Sequence, residues 1–272
     1  MSVRIRVAAV LFLLVVSDVG VTSASPKNSP ATCSRTGSTR SINNQRQVCV
    51  VVGGRRYWVA DPRVVSAAAT KPTVSQIRPG GDMSGLDLRG IDLAGRDLST
   101  ARAAKANFEG VNLAGAFIMS VNLGSAILRR ANLSNTSGGW VYFNGADLEG
   151  ANLTGARLRG SNFDAYVDSG TIRVNLRGAR LDSVDLSWST FENADFTGAS
   201  ARGAVFVDSN FQQAQVLRAD LTNANFQRAD LTGADFTGSI VSSDWRNQFK
   251  DARFQDTVWV DGTKWSSMPP RP

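Results

Sequence analysis

Between Met83 and Val241 the sequence repeats a five-residue unit, small–Asp/Asn–Leu/Phe–x–Gly, almost without pause. It reads Leu-Asp-Leu-Arg-Gly at Leu86 to Gly90 and Ala-Asn-Leu-Thr-Gly at Ala151 to Gly155, and still runs as Ala-Asp-Phe-Thr-Gly at Ala234 to Gly238. We call the Leu or Phe of each unit its centre: Leu88, Leu93, Leu98, then Phe108, Leu113, Ile118 and onward. A period of five excludes the ordinary elements. On an α-helix five residues turn about 500°, so successive centres sit about 140° apart and form no stripe. On a flat strand an odd period sends alternate centres to opposite faces. One geometry keeps every centre inside: the chain bends once per unit, often at Gly, where unusual backbone angles are needed. The centre then fills the axis, the small residue two positions earlier also points inward, and the Asp/Asn and the two residues after the centre face water. That arrangement is a solenoid in which each coil buries its core against its neighbours.

These units resemble the pentapeptide-repeat family, whose motif is A(D/N)LxG, over about Ser84 to Trp265. The resemblance implies an all-β fold, a right-handed quadrilateral β-helix with about twenty residues per coil. About eight coils at a strand spacing of ~4.8 Å would extend about 40 Å. Coils of that length predict vertical neighbours. Arg89, Glu109, Arg129 and Glu149 should form a ladder of alternating charge, and Asp92, Asn112, Asn132 and Asn152 should stack likewise on the next face. Thr257 to Trp265 resembles the family's terminal coils and would cover the open edge. Better-known members protect DNA gyrase by imitating duplex DNA, which calls for a strongly acidic surface. A shared fold does not carry that function across.

The pattern breaks in three places. At Thr136 to Tyr142 the expected centre is Gly138, so the wall has no inward side chain there. Around Tyr166 to Arg173 the centres jump from Phe163 to Leu176, and around Asp244 to Asn247 from Val241 to Phe249. Each offset is three residues beyond whole units, which reads as a short loop or bulge.

Ahead of the repeats, residues 1–24 have the form of a secretory signal. Arg4 and Arg6 are followed by an apolar run from Val7 to Val16 and a small-residue site at Thr22-Ser23-Ala24. The expectation is therefore an extracytoplasmic protein, cleaved after about Ala24. Residues 25–66 form a small basic β-element, 67–83 a connecting segment, 84–265 the β-helix and 266–272 a tail. Val48 to Val59 reads as a strand, a Gly53-Gly54 turn and a second strand. Cys33 and Cys49, the two cysteines of the chain, are expected to form a disulfide in an oxidising compartment. From Ser25 to Asp82 there are nine Lys and Arg against two Asp, a net +7, whereas from Met83 onward nineteen basic residues face twenty acidic ones. Arg35, Arg40, Arg46, Arg55, Arg56 and Arg63 are the candidate contacts to an anionic surface. The alternative is a plain solvated surface.

The chain contains no His, which removes Ser/His/Asp and Cys/His arrangements and leaves a metal site short of ligands. No catalytic residue and no cofactor is expected. A carbohydrate-active β-helix enzyme is disfavoured further by the shortness of the breaks, which build no deep cleft. A secreted structural or interaction protein remains, with an unidentified protein or an anionic cell-envelope polymer as partner, and nucleic acid disfavoured. The candidate partner patch is Phe117, Met119, Trp140 and Tyr142. Phe117 and Met119 flank the inward Ile118, and their neighbours one coil on are Ser137 and Gly139, too small to cover them. Two readings stand open: the four side chains are exposed for docking, or Gly138 and Gly139 let the segment fold over so that Trp140 covers Phe117.

Overall fold

The structure, a computed structural model, describes residues 39–42, 45–52, 55–60, 72, 77–165 and 173–267. The chain divides into two compact units, Met1–Ser66 and Ala67–Pro272. In the first, strands β1 (Thr39–Ile42), β2 (Gln45–Val52) and β3 (Arg55–Ala60) form an antiparallel sheet in the order β1-β2-β3. The register closes Val52 against Arg55 on either side of Gly53-Gly54, as the hairpin reading requires. β1 is an additional strand that the sequence did not announce. Cys49 lies in β2 opposite Trp58, but Cys33 is outside the described residues, and so is the expected Cys33–Cys49 bridge.

The second unit is a four-sided β-helix. Away from the two insertions, parallel bridges join the residue before a centre to the one twenty residues later, as in Asp82↔Arg102, Asp87↔Asn107, Asp92↔Asn112 and Asp97↔Phe117. The centres therefore stack in four columns, beginning at Met83, Leu88, Leu93 and Leu98. Each centre donates its N–H to the coil above, as Leu88 does to the Asn107 carbonyl at 2.8 Å. Its own carbonyl accepts the N–H three residues on, as Leu98 does from Ala101 at 2.9 Å. That closes a turn with positive φ two residues after the centre, the type II geometry that Gly satisfies without strain. Gly90 (φ 77°) and Gly95 (φ 63°) hold it, but so do Thr100, Lys105 and others that are not Gly.

The Asp or Asn before each centre does more than face water. Its Oδ1 accepts the backbone N–H two residues on, as Asp92 does from Ala94 at 3.1 Å and Asn132 from Ser134 at 3.2 Å. This side-chain cap on an otherwise unpaired turn donor explains why the repeat selects Asp and Asn rather than any polar residue. The centres and the small residues before them are buried. Successive aromatic centres stack along the axis: Phe143 on Phe163 at 4.5 Å, and Phe226 on Phe249 at 4.8 Å. Buried hydroxyls at small positions find backbone partners, as Thr136 Oγ1 donates to the Leu133 carbonyl at 2.9 Å.

The amide ladder forms as expected, with Asn112, Asn132 and Asn152 each donating Nδ2 to the residue one coil below at 3.0, 3.1 and 3.3 Å. The charge ladder stacks in the expected register, but its direct ion pairs form with other carboxylates. Arg89 pairs with Asp87 at 2.7 Å and Arg129 with Asp147 at 2.5 Å. Asp87 dominates the upward shift of the Arg89 pKa, and Glu109 contributes least. The reason is rigidity. The carboxylate before a centre is held beside the wall by its turn hydrogen bond, within reach of Arg.

Of the other two breaks, one is larger than a short loop and one keeps the expected three-residue offset. The bridge Asp147↔Asn175 spans twenty-eight residues, so eight are inserted within one coil, where two units plus three had been expected. At the other, Asp230↔Arg253 spans twenty-three, a three-residue insertion that winds into the single-turn helix α1 (Trp245–Gln248). Gln248 anchors it, donating Nε2 to the Leu221 and Ala224 carbonyls at 2.8 and 2.9 Å and accepting the Ser242 N–H at 2.7 Å. Beyond it, β4 (Thr257–Val258) and β5 (Lys264–Trp265) pair antiparallel, bringing Trp265 onto Trp259 at 4.6 Å and Trp245 to 5.1 Å from Trp259. These rings cover the last Phe centres, the closure expected of the terminal coil.

Candidate functional site

The fourth column of centres runs Leu98, Ile118, Gly138, Leu158, Leu186, Phe206, Phe226, and its third member has no side chain. Gly138 is required by packing. A Cβ there would lie 2.7 Å from the Ile118 carbonyl carbon and from the Met119 nitrogen, and one on Gly139 2.9 Å from the Arg159 carbonyl oxygen. The turn after Gly138 is also altered, for Val141 donates its N–H to Ser161 Oγ at 3.1 Å rather than to the Gly138 carbonyl. Gly138→Ala is therefore expected to cost about 1–3 kcal/mol, since backbone rather than a flexible side chain must move. An unchanged urea midpoint would show that the wall relaxes freely here.

Outside this pinch is a groove of about 290 Å³. Its floor is Ser137, Gly138 and Gly139; Phe117 and Met119 line one side, Arg157 and Arg159 the other. Phe117 and Met119 are 52% and 55% exposed, and Trp140 65%. Trp140 does not fold back over Phe117. Its ring lies against Gly160 on the following coil, 3.0 Å from where a Cβ would stand. Tyr142, also exposed, stands around the corner, between Asn122 and Asn162 on the next face. Three of the four predicted patch residues thus border one face and its corner, and Tyr142 belongs to another.

The sequence reading missed three further members of this face. Arg159 donates Nε to Asp185 at 2.6 Å and sets its guanidinium 5.3 Å from the Trp188 ring centre. Trp188, 55% exposed, occupies the same turn position as Trp140. Asp208, one coil on, is held below the usual carboxylate pKa first by the Arg228 guanidinium, bound at 2.7 and 2.6 Å, and last by the Trp188 side chain. Trp140 and Trp188 are forty-eight residues apart, two coils of twenty plus the eight inserted, and the insertion hid the relation. Of the basic candidates, Arg40, Arg46, Arg55 and Arg56 lie in β1, β2 and β3, while Arg35 and Arg63 are outside the described residues. Among the described residues no group of His, Cys, Asp and Glu could hold a metal ion, and no helix is long and apolar enough to cross a membrane.

Against known proteins, the sequence matches the family described as Pentapeptide repeats in eight copies, over residues 82–118, 140–165, 172–206 and 202–238. With the twenty-residue register in hand, this decides the matter. The chain belongs to the pentapeptide-repeat family. Its β-helix is accordingly the right-handed form of that family. Among solved structures it is similar to HetL, a pentapeptide-repeat protein involved in heterocyst differentiation regulation in Nostoc sp. strain PCC 7120. Identity is 25% over 73% of this chain and 96% of that one, with a TM-score of 0.29. QnrB1, a plasmid-mediated fluoroquinolone resistance protein, is 21% identical over 64% of this chain and 87% of its own, at a TM-score of 0.33. A pentapeptide-repeat protein of the Arabidopsis thaliana thylakoid lumen is 23% identical over 66% and 82%, at 0.15. No curated protein matches the sequence. Within this pentapeptide-repeat protein the family match pauses between residues 118 and 140, the stretch that holds Met119 and the groove floor.

Proposed function

We propose that this pentapeptide-repeat protein is an exported, non-catalytic scaffold that docks a protein partner on the face bearing Phe117, Met119, Trp140 and Trp188. The observation that carries the reading is the exposure of all four to half or more of their surface on one face and its corner. Elsewhere the outward positions are mostly small or polar, as a solvated wall requires. Phe, Met and Arg are types enriched at interface centres, and Phe117, Met119, Arg157 and Arg159 line the groove. A second reading rests on the net +7 of Ser25 to Asp82: the basic element holds the protein to an anionic envelope polymer. The fluoroquinolone resistance named for QnrB1 is not carried over, because residues from Met83 onward are nearly neutral in charge.

A single experiment separates the readings. Tagged protein is exposed to intact cells at low and high salt, beside the double variant Phe117→Ser/Trp140→Ser. The expected result is one defined protein retained at high salt and lost with the double variant. Complete release by salt from both proteins would overturn protein docking in favour of the anionic surface, since screening weakens exposed charge contacts.

A further inference from the structure

The groove floor departs from the repeat in its backbone. In most units the Asp or Asn before the centre caps the N–H two residues later, as Asp97 does for Ser99 at 2.9 Å and Asp185 for Ser187 at 3.2 Å. Between those two units the same face carries Phe117, Ser137 and Arg157 in the capping position, and none of them caps. Among the described residues, the N–H groups of Met119, Gly139 and Arg159 have no hydrogen-bond partner. They follow one another up three successive coils, at a spacing of about 4.8 Å. The Gly138 carbonyl accepts nothing either, because Val141 has turned to Ser161. That carbonyl and the Gly139 N–H belong to one trans peptide and point in opposite directions, so the donor that the floor offers is the Gly139 N–H, at the place where an Asp or Asn side chain would otherwise sit. One wall is apolar. The other carries Arg157, which forms no ion pair among the described residues, beside Arg159.

Resting on the docking reading above, we propose that the groove receives an extended peptide segment in which an apolar residue is followed by an acidic one. Adjacent side chains of an extended chain point to opposite sides. The apolar one then meets Phe117 and Met119 while the carboxylate meets Arg157, and a backbone carbonyl of the segment accepts the Gly139 N–H. The free donors and the unpaired guanidinium make a carboxylate the complementary group. A volume of about 290 Å³ suits two or three side chains of a peptide rather than a whole cofactor.

The test is panning of phage-displayed random heptapeptides on the full-length protein. The tightest peptide is then resynthesised with a fluorescent label, with Gln in place of its Glu or with Asn in place of its Asp as control. Two variants return the face to the family's own pattern and so keep the fold: Ser137→Asp supplies a cap for Gly139 and a countercharge to Arg157, and Arg157→Asn supplies a cap for Arg159. Both are expected to melt as the parent does. Enriched peptides should share an apolar–acidic pair. Fluorescence anisotropy should show binding at least about tenfold weaker for either variant and for the amide control, the loss of one charge-assisted contact. Enrichment without acidic residues, equal binding by the variants, or no enrichment at all would overturn the proposal. Should an acidic glycan bind the groove instead, the peptide assignment also falls. The wider docking reading is tested separately, since the protein retained at high salt would still be lost with Phe117→Ser/Trp140→Ser even if panning failed.

Discussion

Leu153→Asp and Phe226→Asp are each expected to abolish cooperative unfolding. Both side chains are fully buried, and Phe226 is sandwiched between Phe206 and Phe249 at 4.8 Å each. A carboxylate there would have no cationic partner, and an uncompensated buried charge costs several kcal/mol, comparable to the ~5–15 kcal/mol that holds a domain together. The adjacent outward residues provide the control. Among the described residues the Thr154 hydroxyl bonds only to the Asn152 side chain within its own turn, at 2.7 Å, and Gln227 Nε2 reaches the Asn247 carbonyl at 3.4 Å. Thr154→Ala and Gln227→Ala should each shift stability by no more than about 0.5 kcal/mol. Circular dichroism melts of the four variants decide the matter, and four similar curves would refute the inward and outward assignment.

Trp259→Ala should have the next largest effect, about 3–5 kcal/mol. Trp259 is the hub of the closing cluster, with Phe236, Trp245, Phe249, Phe254 and Trp265 all within 6.0 Å ring to ring. Its loss does more than leave a cavity, because the last coil would then present unpaired backbone groups to other chains. The variant is expected to melt earlier and to form concentration-dependent oligomers, detectable by light scattering on a sizing column. A parental denaturation midpoint would show that the remaining rings suffice as a cover.

The repeat was legible because it is written redundantly. Most centres from Leu88 to Phe236 carry the same instruction, and the twenty-residue register follows once four bends close a coil. The Asn112–Asn132–Asn152 ladder could be named in advance for that reason. What stayed hidden depends on single side chains in three dimensions. Arg129 chose Asp147 over Glu149 because the turn had already fixed the aspartate, a local geometry that column spacing does not express. Trp188 joined the Trp140 corner only after an eight-residue insertion had been absorbed within one coil. Gly138 was recognised as a missing side chain. That its carbonyl would lose its turn partner to Ser161 could not be read from the residues, since Ser161 lies one coil away.

The corners of the solenoid are not built alike. The turn residues following the second column are mostly glycine: Gly90, Gly110, Gly150, Gly178, Gly198 and Gly238. Those following the fourth column are Thr100, Ser120, Trp140, Trp188, Asp208, Arg228 and Asp251, with Gly160 alone among them, all at positive φ. A side chain in that conformation costs of order 1–2 kcal/mol. One lengthwise seam is thus held under torsion while another lies slack, and it is the tensioned seam that borders the groove. The seam that presents the tryptophans is thus also the one whose turns carry most of this backbone cost, and it has the most to gain by relaxing around an incoming chain.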